Sequence, residues 1–157
     1  MTTTRFAPRL FLLCLALGLA TQAVNADELK LRVQLVWGTN EKDAQKRDPS
    51  LKEVDPKLAE RLKKVFKWEH YYVVKNKQTD ALPNPVVIRA GKPEKLPLSE
   101  KCEIEIKNLG FPMLEVKLFG QGVLVKTVKQ PVSPDDLIIG GDESKNDTAW
   151  FVVISRR

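Results

Sequence analysis

The chain has 157 residues, a formal charge of +6, one histidine and two cysteines. With one histidine and, beyond the N-terminal apolar run, one cysteine, the familiar zinc sets of His and Cys ligands cannot be assembled from one chain, and a length near that of one domain leaves no room for a multidomain machine. About two thirds of the unfolded surface of such a chain can be buried, enough for a core without disulfide staples.

Residues 1–9 carry Arg5 and Arg9 and no acid, an apolar run follows over Leu10–Ala20, and a polar stretch ends in "AVNA" at Ala26. A basic start, a short apolar centre and small residues before a cut are the marks of a secretory leader. The apolar run is well short of the ~20 residues that span a bilayer. The expectation is therefore a signal peptide over 1–26, cleavage near Ala26, and a periplasmic or secreted single β-rich domain over 27–157 with no transmembrane segment. Cys14 sits behind Leu12 and Leu13 rather than in the small-residue setting of a lipid-attachment cysteine. Beyond Ala26 only Cys102 remains, which excludes an intrachain disulfide. Loss of Arg5 and Arg9 takes the formal charge from +6 to +4. In an exported chain that mild basicity points away from nucleic acid and toward an envelope protein, an acidic polymer or a lipid surface, if it is more than solubilising charge.

Leu29, Leu31, Val33, Leu35 and Trp37 alternate with polar residues and predict a half-buried strand. Gly38 to Glu53 is polar and reads as a long exposed loop. Asp55 caps a helix with Pro56 at its first position, and Leu58, Leu62, Val65 and Phe66 form one apolar stripe. Period two then returns: Trp68, His70, Tyr72 and Val74 on one face, Glu69, Tyr71 and Val73 on the other. A short run at Val86–Ile88 is followed by "GKPEKLPLS", whose Pro93 and Pro97 forbid a central strand. Cys102, Ile104 and Ile106 give the clearest alternation, "NLGFP" turns into Leu114, Val116 and Leu118, and "GQG" at 120–122 predicts a tight hairpin into Val123–Val128. Leu137–Ile139 and the unbroken apolar run Trp150–Ile154 complete the set, the last suited to a strand covered on both faces. About eight short antiparallel strands with one amphipathic helix predict a mainly β fold, a sandwich or small barrel. The alternative is an open α+β sheet with the helix on one face.

Chemistry-bearing groupings are few. "GQG" and "GGD" lack nucleotide-loop spacing and precede no helix. Asp142, Glu143, Asn146 and Asp147 crowd one acidic turn, with Lys145 among them and no EF-hand spacing. His70 is the only conventional base; Cys102, in phase with Ile104, is placed for burial rather than activation, and no serine stands in a nucleophile elbow. Glu103 and Glu105 share a face with Lys101 and Lys107, the pattern of a solvated sheet. The reading assigns no catalytic, cofactor-binding or metal-binding residue and no cofactor. Aromatics beside lysines favour interfaces, so Lys64, Lys67, Glu69 and Tyr71 are the candidate partner-binding residues.

The stretch "VDPKLAERLKKVFKWEHYYVV", residues 54–74, resembles a pattern in short exported bacterial proteins without an assigned function, in which an acid-Pro capped helix runs into an aromatic strand and a β-rich remainder closes on a strand similar to "DTAWFVVIS". The resemblance implies a bacterial envelope origin and a stand-alone β domain; it implies no site residue. Three functions are expected from these features: an exported non-enzymatic binding or assembly module, a secreted inhibitor that inserts loop 38–53 into a hydrolase, and a hydrolase that uses His70.

Overall fold

The computed structural model describes residues 28–132, 134–144 and 147–157, with the side chains of 141–144 outside the description. The signal peptide expected over 1–26 therefore lies outside the described residues, as do Ser133, Lys145 and Asn146. Along the chain, β1 (Glu28–Thr39) is followed by the single-turn helix α1 (Ala44–Arg47), β2 (Lys52–Glu53), helix α2 (Pro56–Val65) and β3 (His70–Val73). A second single-turn helix, α3 (Lys77–Ala81), leads to β4 (Val86–Arg89), β5 (Glu94–Ser99), β6 (Cys102–Asn108), β7 (Met113–Gly120), β8 (Val123–Pro131), β9 (Leu137–Ser144) and β10 (Thr148–Arg156).

These strands form two antiparallel sheets. In the six-stranded sheet β1 is the spine. β10 pairs along it from Leu31 to Thr39, while β4 (from Glu28 to Leu31) and β3 (from Val36 to Thr39) share its other edge end to end. β2 lies outside β3, and β9 outside β10. The four-stranded sheet is the meander β5-β6-β7-β8. Both sheets keep open edges, so the fold is a β-sandwich and not a closed barrel.

Alternation decides which residues face which layer. Leu29, Leu31 and Leu35 of β1, with Val152 and Ile154 of β10, meet Leu96, Leu98, Ile104, Ile106, Leu114, Val116 and Leu118 of the smaller sheet. The other face of β1 and β10, through Val36, Phe151 and Val153, is covered by Leu58 and Leu62 of α2 together with Val54, Trp68 and Tyr71. The larger sheet is thus a middle layer, which is why Phe151–Ile154 is apolar without interruption. The helix-on-sheet alternative survives as one half of this arrangement. Among the described residues, both cores draw on Leu29 onward.

Local signals account for most elements. The Asp55 carboxylate accepts from the Lys57 backbone N–H at 3.0 Å and Pro56 opens α2. Pro97 is tolerated because β5 is an edge strand paired only with β6. "GQG" does make a tight hairpin: Gln121 and Gly122 take φ of 50° and 79°, the pair of positive values that a two-residue turn between twisted strands requires.

Three expectations need correction. The stretch 38–53 is not a plain loop. Gly38 and Thr39 belong to β1, Ala44 is fully buried in α1, and β2 pairs with β3. Its polar composition hid this because backbone pairing and one small apolar residue are enough to pin it. Val65 is 69 % exposed, because α2 stops there and Phe66 leaves in an extended conformation to pack on Phe151 at 4.4 Å between ring centroids. Trp68 does not share a face with Tyr72. The strand begins only at His70, so Trp68 joins Tyr71 on the helix side while Tyr72 pairs with Trp37 on the other.

Candidate functional site

On the face of the larger sheet that meets the smaller one, Leu35 is followed by Trp37, whose register partners are Trp150 in β10 and Tyr72 in β3. Residues directly opposite in an antiparallel pair project to the same side. These rings form a ledge: Trp37 lies 6.3 Å from Trp150 and 6.0 Å from Tyr72, and His70 stacks on Tyr72 at 6.5 Å. Trp150, at the edge of this ledge, comes together with Phe119, Gly120 and Val125 beside the turn at Gln121 and Gly122. Between the two sheets at that end lies a cleft of about 670 Å³.

Its walls are Leu35, Val74 and Trp150 from the larger sheet and Cys102, Leu118 and Val125 from the smaller. Polar groups gather at the rim, from Asn76 and Gln78 of the α3 region and from the Ser99–Lys101 turn. The rim is braced. Asn76 caps α3 and donates through Nδ2 to the Leu98 carbonyl at 2.8 Å, while the Gln121 backbone N–H donates to the Lys101 carbonyl at 2.8 Å. Apolar walls with a few fixed polar groups at the mouth are the ordinary make-up of a small-molecule site.

Beside the mouth, Val123, Leu124 and Val125 are 67 %, 50 % and 53 % exposed, and Trp150 is 42 % exposed. Elsewhere the smaller sheet covers its outer face with paired charge: Lys117 Nζ lies 2.9 Å from Glu105 and Lys129 Nζ 2.9 Å from Glu115. The hydrogen bond from Lys129 lowers the Glu115 pKa, and that to Glu105 raises the Lys117 pKa. Lys101 and Lys126, nearest the cleft, have no such partner among the described residues. Burial pushes the Cys102 thiol above its ordinary pKa, so it lines the cleft as a neutral group and not as an activated thiolate.

The residues singled out from sequence lie elsewhere. Lys64, Lys67 and Glu69 are exposed around the junction of α2 and β3. Lys67 pairs with the Asp147 carboxylate at 2.9 Å and sits 5.5 Å over the Trp68 ring, and the Glu69 backbone N–H donates to Asn40 Oδ1 at 3.0 Å. Tyr71 does not join them. It is 3 % exposed, with its ring 6.1 Å from that of Phe151, so it has no open face for a partner. The expected grouping is therefore a structural seam with exposed charges at its edge.

His70 is half-buried, its imidazole makes no hydrogen bond or ion pair among the described residues, and it lines neither this cleft nor the two further cavities that share Leu82 and Pro83. Of the acidic turn, Asp142, Glu143 and Asn146 fall outside the side-chain description, and Asp147 is engaged with Lys67 and Asn40. No cluster of metal-ligating side chains occurs among the described residues. Sequence reading missed the cleft, yet a signal was present: Val123-Leu124-Val125 directly follows a tight turn, and three adjacent apolar residues on a strand cannot all face one core. Comparison with protein-family models, with curated proteins and with solved structures finds no match.

Proposed function

We propose that the protein is an exported, non-enzymatic binding module of the bacterial cell envelope, and that its ligand is an amphiphile with an apolar body and an anionic head, of the fatty-acid class. The observation that carries this is the cleft at the open end of the sandwich, with Leu35, Leu118, Val125 and Trp150 for walls and, at the rim beside Glu100, a lysine, Lys101, that makes no ion pair among the described residues. An acyl chain satisfies walls that offer it no hydrogen-bonding group, and a carboxylate or phosphate head left at the mouth meets Lys101. The leader pattern over 1–26 supports export.

The test is a titration of the purified protein with a long-chain fatty acid, followed by tryptophan fluorescence, since Trp150 is a cleft wall. Binding in the micromolar range is expected, with at least a tenfold loss in Trp150→Ala and in Leu118→Lys. A protein that binds no amphiphile, or that cleaves an ester, glycoside or peptide and loses the activity in His70→Ala, would overturn the reading.

A further inference from the structure

We propose that the tip of the β7–β8 hairpin docks on an anionic lipid bilayer and holds the mouth of the cleft against it. Val123 stands opposite Gly120 and Leu124 opposite Phe119, so these two project to opposite faces, and Val125 is the extra residue of a bulge before Lys126; their exposure uncovers both faces of the tip. A protein surface that received this hairpin would cover one face of it. A medium that surrounds the tip covers both, and the boundary between headgroups and acyl chains is such a medium. The depth agrees: three strand residues reach about 10 Å, against the roughly 5–10 Å to which interfacial elements insert.

Charge points the same way. From Lys117 to Pro134 the chain carries lysines and no acid. Lys126 stands opposite Leu118 in the ladder and so projects to the cleft side of an edge strand, without an ion pair among the described residues. Lys101, next to Glu100, adds a second cation without an ion pair among the described residues at the mouth, and Trp150 an aromatic group of the kind favoured at membrane interfaces. Inward-pointing charge on β8 also discourages the edge-to-edge pairing that would otherwise be its use. The tip is held in place, since the Gln121 N–H to Lys101 carbonyl bond ties it to the β5–β6 turn.

This inference rests on the proposed function only for its purpose, transfer of an acyl chain between bilayer and cleft; docking is measured apart from it. The chain from Asp27 onward, free of the apolar leader, is mixed with vesicles of equal parts phosphatidylglycerol and phosphatidylcholine, or of phosphatidylcholine alone, and sedimented. Preferential binding to the anionic vesicles is expected, weakened by salt. The paired change Val123→Ser and Leu124→Ser, at exposed positions outside the cleft walls, should lower partition at least tenfold while fatty-acid binding stays intact. Lys126→Gln should lower it about fivefold, the effect of one basic residue near such a surface. Equal partition of the serine variant, or a wild-type chain that binds neither vesicle, overturns the inference. So does self-association in solution that is abolished by Thr127→Pro, which would assign the β8 edge to strand pairing between copies. Absence of fatty-acid binding leaves these arms unaffected, so the two readings fail separately.

Discussion

At Gly38 the larger sheet allows no side chain. A Cβ there would lie 2.9 Å from the Phe151 ring and 3.2 Å from that of Tyr71, both inside the helix-side core. Gly38→Ala must displace one of these rings, and a loss of about 1–3 kcal/mol is expected from urea unfolding. Tyr71 makes the opposite case. Its hydroxyl is buried with no partner in hydrogen-bond geometry, and burial pushes its pKa up, offset only in part by the nearby backbone of Trp68. Tyr71→Phe removes an unsatisfied polar group and should leave stability unchanged or raise it by up to about 1 kcal/mol. A large loss would show that the hydroxyl has a use. The sequence marks Tyr71 as aromatic and strand-borne but not as buried, because in the period-two pattern it falls in phase with Glu69 and looks solvated. Only the placement of α2 over that face, through Leu58 and Leu62, turns it into core.

Elements with a strong periodic signal are legible: α2 from its cap and stripe, β6 and β7 from their alternation, the β7–β8 turn from its glycines. Elements held by pairing alone are not, as β2, α1 and the end of β1 within 38–53 demonstrate. The seam that fixes the β9–β10 turn to the start of β3 belongs to this second kind. Trp68 Nε1 donates to the Asp147 carbonyl at 3.0 Å, and the Asp147 carboxylate meets Lys67 at 2.9 Å. The Lys67 hydrogen bond, with its charge, holds the Asp147 carboxyl below its ordinary pKa. A depressed folded value means that the unfolded chain binds the proton more readily. The pair's contribution is therefore complete above the unfolded value of about 3.9 and is lost as pH falls through the lower folded value. Lys67→Ala should flatten that acid limb of stability against pH, modestly, since the pair is exposed and screened by salt. An unchanged limb would assign the acid sensitivity to other carboxylates. On the other side of the sheet, Leu62→Ala should cost about 2–5 kcal/mol by opening a cavity between α2 and the middle layer.

The molecule as a whole is a three-layer stack in which the spine of the middle sheet, β1 with 12 residues, is longer than any strand of the sheet that covers it. That mismatch creates the cleft, and it is the part least available from sequence. Alternation states which face of a strand is apolar; it does not state how far the opposing sheet extends. Leu35 and Trp37 belong to one apolar face in sequence, yet Leu35 is buried in the core between the sheets while Trp37 is only half-buried, on the aromatic ledge with Trp150 and Tyr72. The same limit explains why the sequence points to Lys64, Lys67, Glu69 and Tyr71, whereas the cleft is walled by Trp150 and Val125. Cys102, half-buried in the cleft wall with its thiol pKa raised, reports directly on whether an amphiphile enters. The rate of Cys102 alkylation in the native protein, with and without a long-chain fatty acid, tests the central claim. A severalfold slowing that saturates with the fatty acid is predicted, and a rate unchanged at every concentration would contradict it.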